Sequence, residues 1–232
     1  MKTSVLPDAH TTRPASTTFR NQRHDPASRI PIEPGDRVLD LCAAPGGKAT
    51  AAGAALQGQG LLVANDISTS RARALLRNLE LFGIPNVFVA NETPAKLTKA
   101  FPEFFDKIIL DAPCSGEGMF RKEEALAKDW TPEKSLELSE IQKELILQAA
   151  DMLRPGGLML YSTCTFAPAE DEQTVSHLLE TVLTWNWQKW KIMKASPMEF
   201  LNGETKIRGA DQMHPDFPTQ NERRGTLPCA LP

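Results

Sequence analysis

The sequence predicts an α/β protein with a doubly wound, mostly parallel sheet and helices on both faces. From Pro34 onward, short apolar runs alternate with longer helical patterns, as is typical of parallel strands joined by crossover helices. The runs at 105–110 and 158–161 are rich in apolar residues, which favours strands buried on both faces of the sheet.

The predicted elements follow in the order strand, helix, strand, helix, strand, strand, helix, strand, helix. The strands lie near 37–41, 61–65, 86–90, 105–110 and 158–162, and the helices near 47–56, 69–82, 132–153 and 170–183. The long helix has the clearest limits, since Thr131 is a candidate N-cap, Pro132 suits the first turn, and Gly156-Gly157 follow its end.

Both ends of the chain lack strand or helical periodicity. Residues 1–33 are rich in Thr, Pro and Arg, and residues 201–232 contain several prolines. We predict a poorly ordered basic arm at 1–33, one α/β domain at 34–200, and an irregular tail at 201–232. A basic arm can bind RNA, but the simpler interpretation as a solvated tail is favoured.

Composition excludes several broad classes of protein. The 26 Lys and Arg against 29 Asp and Glu give a net charge of −3, so only a local basic patch could bind nucleic acid. We expect no membrane span and no signal peptide, because no segment is apolar enough. Four cysteines without paired spacing predict reduced thiols in the cytoplasm, with neither a disulfide framework nor a metal site.

A tight turn of small residues joins the first predicted strand to the first helix. It reads Cys42-Ala43-Ala44-Pro45-Gly46-Gly47-Lys48. Small residues allow a ligand to approach the backbone, and the helix amino terminus offers free N–H groups to negative charge. The turn has neither Walker nor Gly-x-Gly-x-x-Gly spacing, which favours a nucleoside with an amino-acid tail over a triphosphate.

Polar residues also follow the second and third predicted strands. Asp66 lies eighteen positions after Lys48, near where an acidic residue accepts hydrogen bonds from ribose in nucleotide-binding sheets. Taken alone it could equally be an N-cap, but beside the small-residue turn ribose binding is favoured. Glu92 and Thr93 lie where an adenine edge would be recognised.

Two cysteines each follow a predicted buried strand. Cys114 ends the segment Asp111-Ala112-Pro113-Cys114, and Cys164 ends Ser162-Thr163-Cys164. A lone cysteine is most often a small buried hydrophobe, and Asp111 could simply cap a loop. Because the carboxyl ends of parallel strands face one crevice, both thiols could reach one molecule, which indicates covalent chemistry on a pyrimidine base.

Three segments in this order are similar to motifs of the Nop/Sun family of RNA 5-methylcytosine methyltransferases. They are residues 40–48, residues 111–122 and residues 161–165. The continuation Gly116-Glu117-Gly118-Met119-Phe120-Arg121-Lys122 resembles the bacterial RsmF/YebU-like branch, which modifies 16S ribosomal RNA. The similarity spans about residues 25–185.

The resemblance implies a Rossmann-like class I fold and S-adenosylmethionine as methyl donor. It implies that residues 42–48 surround the methionine end of the donor and Asp66 its ribose, with Asp111 near donor and cytosine. It further implies Cys164 as nucleophile and Cys114 as the thiol that assists product release, with Asp111 and Lys48 in support. The implied partner is RNA, as 16S rRNA or the small ribosomal subunit, with no membrane and no metal.

The chain departs from the family pattern at two places. Thr93 stands where many members carry an aspartate near adenine, although Glu92 could substitute for it. We also expect that the usual RNA-binding parts outside the core are missing and that both termini are altered.

Three alternatives stay open. One is the same reaction on transfer RNA, and another is a DNA cytosine methyltransferase with Cys114 as the nucleophile. The third is a catalytically silent remnant that binds cofactor or RNA, against which the retention of both cysteines argues.

Overall fold

Strands and helices alternate through most of the described chain. The computed structural model describes residues 29–121, 124–183, 191–194 and 200–201. The strands are β1 (Arg37–Asp40), β2 (Leu61–Asn65), β3 (Val87–Ala90), β4 (Phe105–Asp111), β5 (Leu153–Ser162), β6 (Lys191–Lys194) and β7 (Phe200–Leu201). The helices are α1 (Gly47–Leu56), α2 (Thr69–Leu81), α3 (Pro94–Ala100), α4 (Glu124–Lys128), α5 (Pro132–Met152) and α6 (Glu172–Leu183).

These strands form one sheet in the order β3-β2-β1-β4-β5-β6-β7. Strands β1 to β6 pair in parallel and β7 pairs antiparallel with β6, which confirms the predicted doubly wound, mostly parallel sheet. After β3 the chain returns to place β4 beside β1, so the direction of winding reverses there. Ligands of open α/β sheets bind outside the carboxyl ends of the strands at such a switch point.

Each face of the sheet is covered by its own helices. Strand residues alternate between two core clusters, so that Leu39 packs with α3, α5 and α6, whereas Val38 packs with α1 and α2. Ile108 and Ile109 divide in the same way. The period of two in side-chain direction explains this alternation, and burial on both faces explains why β4 reads as mostly apolar.

The long helix α5 begins as predicted. Thr131 is its N-cap and accepts a hydrogen bond from the Lys134 N–H at 3.2 Å. Helix α5 ends at Met152, and β5 begins at the next residue, five residues earlier than predicted. The pairing of β5 with β4 shifts register between Phe105 and Lys107. A Cβ at Gly157 would lie 2.9 Å from the Asp106 carbonyl oxygen, so this close approach of β5 to β4 requires glycine.

Several elements were not predicted from the sequence. Helix α3 has one buried side chain, Leu97, and so shows no apolar periodicity; α4, β6 and β7 are also short. Ile30 falls within the predicted arm, yet it is 3% exposed and belongs to the core beside α1 and α2. The predicted arm at 1–28 and the tail at 202–232 lie outside the described residues.

Two negative findings concern the described residues alone. None of their helices is long and apolar enough to cross a membrane. Within the same ranges, no three His, Cys, Asp or Glu side chains are grouped so that they could hold a metal ion.

Candidate active site

A cavity of about 250 Å³ lies at the switch point between β1 and β4. The predicted turn supplies most of its wall. The lining residues are Asp40, Cys42, Ala43, Ala44, Pro45, Gly47, Lys48 and Asp111. The structure therefore brings together the turn and Asp111, which are far apart in the sequence.

The turn is held in shape from outside the cavity. Gly46 has a φ of 113°, a left-handed conformation that glycine adopts without strain. The Pro45 carbonyl accepts a hydrogen bond from Asn78 Nδ2 at 2.7 Å, and the Ala44 carbonyl accepts one from Arg71 Nη2 at 3.2 Å. Gly46 is also the N-cap of α1 and has no side chain to cap it, so the first N–H groups of α1 are free for an anionic ligand.

Lys48 and Ser162 fix the Asp111 carboxylate from two sides. Lys48 Nζ lies 2.7 Å from Asp111 Oδ2, and Ser162 Oγ donates to Asp111 Oδ1 at 2.6 Å. The Lys48 side chain is 21% exposed and that of Asp111 is 40% exposed. Asp111 therefore presents an oriented but accessible carboxylate at the edge of the cavity.

Cys114 and Cys164 form a pair of thiols in contact. Their Sγ atoms are 3.2 Å apart, and the Cys164 N–H also donates to Cys114 Sγ at 3.3 Å. The hydrogen bond from the Cys114 thiol lowers the pKa of Cys164 to about 7, against the opposing effect of burial. The same hydrogen bond raises the pKa of Cys114, and burial adds to that rise. Cys164 is thus the more acidic of the two thiols, about half ionised at pH 7, and it is exposed.

Cys42 differs from this pair although it lines the cavity. Burial raises its pKa to about 12, with a further contribution from the charge of Asp40. Cys42 therefore remains a neutral thiol, and it suits the wall of a binding site rather than a nucleophile.

Asp66, Glu92 and Thr93 do not line the cavity. Asp66 is 2% exposed, and its carboxylate accepts a hydrogen bond from the Ser68 N–H at 2.9 Å. The same carboxylate forms an ion pair with Arg71 at 3.0 Å. Exposed Glu92 pairs with Lys96 at 2.8 Å, which lowers the pKa of Glu92. Thr93 occupies the N-cap position of α3. Their roles at ribose and adenine stay predictions.

Sequence reasoning missed two polar residues of this region. In the sequence Ser162 is marked out only by its position near Cys164, yet its hydroxyl donates a hydrogen bond to Asp111. Glu170 is fully buried and hydrogen-bonds the residues that follow both cysteines. An acidic residue beside Asp171 and Glu172, just before a helix, more often indicates a solvated first turn, so the sequence carried little signal for its role.

The fold and the site define a class of protein. An open parallel sheet with a small-residue turn at its switch point is the Rossmann-like class I methyltransferase fold. The family model described as 16S rRNA methyltransferase RsmB/F matches residues 28–226. The chain therefore belongs to the RsmB/F family, as the motif resemblance predicts.

Individual relatives agree with this family. Ribosomal RNA small subunit methyltransferase F of Vibrio campbellii is 40% identical over 185 residues, which cover 77% of this chain and 38% of the relative. The protein of the same name from Escherichia coli O139:H28 is 44% identical over 145 residues, which cover 62% of this chain and 30% of the relative. The chain thus spans less than two fifths of the length of these curated relatives.

A solved structure is similar over the same region. NSun6 from Pyrococcus horikoshii, solved with SFG, has a TM-score of 0.62 and 31% sequence identity. The similarity covers 67% of this chain and 40% of that chain.

Proposed function

We propose that this chain transfers a methyl group from S-adenosylmethionine to C5 of a cytosine in RNA, and that the RNA is 16S rRNA. The observation that carries the proposal is the exposed Cys164 sulfur, 3.2 Å from the Cys114 sulfur. Membership of the RsmB/F family and relatives named ribosomal RNA small subunit methyltransferase F support the reaction class and the substrate.

The cavity residues fit the methyl donor. Free N–H groups at the start of α1 suit the carboxylate of S-adenosylmethionine. The small side chains from Ala43 to Gly47 leave room for the methionine moiety of the same molecule. In the proposal Asp66 binds the ribose, and Glu92 and Thr93 lie at the adenine. NSun6, a structural relative, was solved with the S-adenosylmethionine analogue SFG. When bound, the donor supplies an electrophilic methyl group.

Cys164 would activate the cytosine. C5 of cytosine is a poor nucleophile until a thiolate adds at C6. As the bond from Cys164 Sγ to C6 forms, an electron pair would move to C5. C5 could then take the methyl group while the methyl–sulfur bond of the donor breaks and its electron pair returns to the donor sulfur. A charged or hydrogen-bonding group near N3 and the exocyclic amine favours the addition. In the proposal the Lys48–Asp111 pair at the edge of the cavity supplies this group.

Cys114 would assist release of the product. After methylation the C5 proton leaves to a base, the C5–C6 double bond re-forms, and the bond from C6 to Cys164 Sγ breaks. The departing sulfur becomes a thiolate again. The Cys114 thiol already donates toward this sulfur, so it can stabilise the thiolate as it leaves.

The proposal limits the kind of RNA and the compartment. A thiol reaches C6 only when the target base is unstacked, so the cytosine should lie in a loop or an opened helix. Because both cysteines must be reduced, the reaction belongs in the cytoplasm.

The deciding experiment follows a labelled methyl group from S-adenosylmethionine into unmodified 16S rRNA, free and in small subunits. Label at cytosine C5 that disappears in Cys164→Ala would support the proposal. Label that appears only with transfer RNA or DNA would correct the substrate. No label from a folded protein that binds the donor would favour a silent remnant.

A further inference from the structure

Glu170 is a fully buried carboxylate outside the cavity. It lies between β5 and α6, and Tyr161 Oη donates to its backbone carbonyl at 2.6 Å. Among the described residues no Lys, Arg or His forms an ion pair with it. Removing a carboxylate from water costs several kcal/mol unless hydrogen bonds compensate for the loss. A buried charge of this kind therefore calls for a structural or functional reason.

Its two carboxylate oxygens bind both cysteine loops. Oε2 accepts from the Ser115 N–H at 2.9 Å, and Oε1 lies 3.5 Å from Thr165 Oγ1. Ser115 directly follows Cys114 and Thr165 directly follows Cys164. The two hydroxyls also contact each other at 3.0 Å. One side chain thus joins the residues next to both reactive sulfurs.

Helix α5 anchors this junction from a third direction. Ser135 Oγ donates to Glu170 Oε1 at 2.7 Å, and Gln142 Nε2 donates to Glu170 Oε2 at 2.9 Å. Gln142 also donates to the Pro113 carbonyl at 2.8 Å, so hydrogen bonds hold the chain on both sides of Cys114. Because α5 is 21 residues long and packed against the sheet, it gives the two loops a rigid support.

We propose that Glu170 is a positioning residue that sets the separation of Cys114 and Cys164 by holding both of their loops against α5. The importance of that separation for methyl transfer rests on the proposed function. A sulfur–sulfur hydrogen bond weakens steeply with distance, so looser loops would deprive Cys164 of its donor. The pKa of Cys164 would then rise toward that of an ordinary cysteine.

The test measures the rate at which Cys164 reacts with iodoacetamide between pH 5 and pH 10, with the Cys164 peptide quantified by mass spectrometry. For Glu170→Ala we expect the midpoint to rise by about one pH unit, and the rate at pH 7 to fall about fivefold, in proportion to the thiolate fraction. Neither RNA nor methyl donor is needed, so failure of the proposed function would leave this readout intact.

Two variants separate positioning from general stability. In Glu170→Gln the amide oxygen can accept from Ser115 and Gln142 while its NH2 donates to Ser135 Oγ, so we expect a midpoint close to that of the wild type. Asp106→Ala removes another buried carboxylate, which binds Arg37 at 3.1 Å far from the thiols. We expect it to lower stability without moving the midpoint.

Thr165→Val keeps the test decisive if Glu170→Ala does not fold. The substitution preserves side-chain shape but removes the hydroxyl that contacts Ser115 Oγ and Glu170, so we expect a smaller rise of the midpoint in the same direction. An unchanged midpoint in the folded Ala variant, or in Thr165→Val when it is the only variant that folds, would overturn the proposal. An equal rise in Asp106→Ala would also overturn it.

Discussion

The Cys114 sulfur lies 3.2 Å from the Cys164 sulfur, and the two thiols have opposite tendencies to ionise. The pKa of Cys114 is raised and that of Cys164 is lowered, so Cys164 is the thiol that ionises first. The asymmetry follows from the hydrogen bond between the two sulfurs and from the lower exposure of Cys114. The Cys164 N–H, which donates to Cys114 Sγ at 3.3 Å, acts in the opposite direction and lowers the pKa of Cys114.

Single alanine substitutions of the two cysteines should have different effects on covalent capture of RNA. Cys164→Ala should form no adduct, since the nucleophile is gone. Cys114→Ala should form an adduct more slowly but accumulate it, because release of the thiolate loses its hydrogen-bond donor. A denaturing gel of labelled 16S rRNA with protein and S-adenosylmethionine measures both. The reverse pattern would assign the nucleophile to Cys114, as in the DNA methyltransferase alternative.

The pH dependence of methyl transfer should report the Cys164 thiolate. Because the pKa of Cys164 is lowered to about 7, the rate should be nearly maximal above pH 8 and should fall as pH decreases through 7, about tenfold per unit. Single-turnover rates between pH 5.5 and 9 measure this limb. A midpoint near the ordinary cysteine value of about 8.5 would mean that Cys114 does not stabilise the thiolate.

Ser162→Ala should reduce turnover by freeing one side of Asp111. The lost hydrogen bond, 2.6 Å in length, goes to a charged group and is worth about 1.5–3 kcal/mol. We therefore expect kcat to fall by about tenfold or more, with the protein still folded. Ser139→Ala is the matched control, since its hydroxyl binds only the Leu136 carbonyl in α5. Equal losses in both variants would contradict a specific role for Ser162.

Gly46→Ala should weaken binding of the methyl donor. Gly46 has a φ of 113°, and an added Cβ would lie 3.0 Å from Leu75 Cδ1, so the turn must shift. Gly35→Ala is the control, because Gly35 has a similar φ of 99° but nothing within 4 Å of the added Cβ. Calorimetric titration with S-adenosylmethionine should show at least about tenfold weaker binding for the first variant alone. Unchanged binding would mean that the turn does not contact the donor.

Phe166→Ala should weaken RNA binding more than catalysis. Phe166 is 74% exposed, two residues after Cys164, and its N–H is held by Glu117 Oε2 at 3.0 Å. An exposed aromatic ring beside the nucleophile can stack on a base, and such stacking is worth about 1–3 kcal/mol. We expect KM for RNA to rise about fivefold or more. Phe88→Ala, which removes a ring 56% exposed on β3, should leave KM unchanged.

The sequence predicts this fold well wherever local pattern and burial coincide. The apolar character of β4 and the N-cap Thr131 specify their elements without help from the rest of the chain. Helix α3 is not predicted from the sequence, because Leu97 is its one buried residue and a single apolar position gives no helical periodicity. Residues 42–48 were expected to form a ligand turn, and they line the cavity with the exception of Gly46.

The support of the thiols could not be predicted in the same way. Glu170 acts through Ser115, Ser135 and Gln142, which lie 55, 35 and 28 positions away along the chain. No local spacing encodes contacts of that kind, since they arise only when α5 packs across the sheet. The 3.2 Å distance between the sulfurs likewise depends on two loops that are 50 positions apart.

The core is divided into two clusters on opposite faces of the sheet, and each cluster supports a different part of the site. The turn at 42–48 rests on α1 and α2, whereas the thiol loops rest on α5 and the chain leading into α6. Across the switch point, the Lys48–Asp111 pair connects these halves. Substitutions on the α5 side can therefore change the geometry of the two thiols, while the turn at 42–48 keeps its own support on the other face.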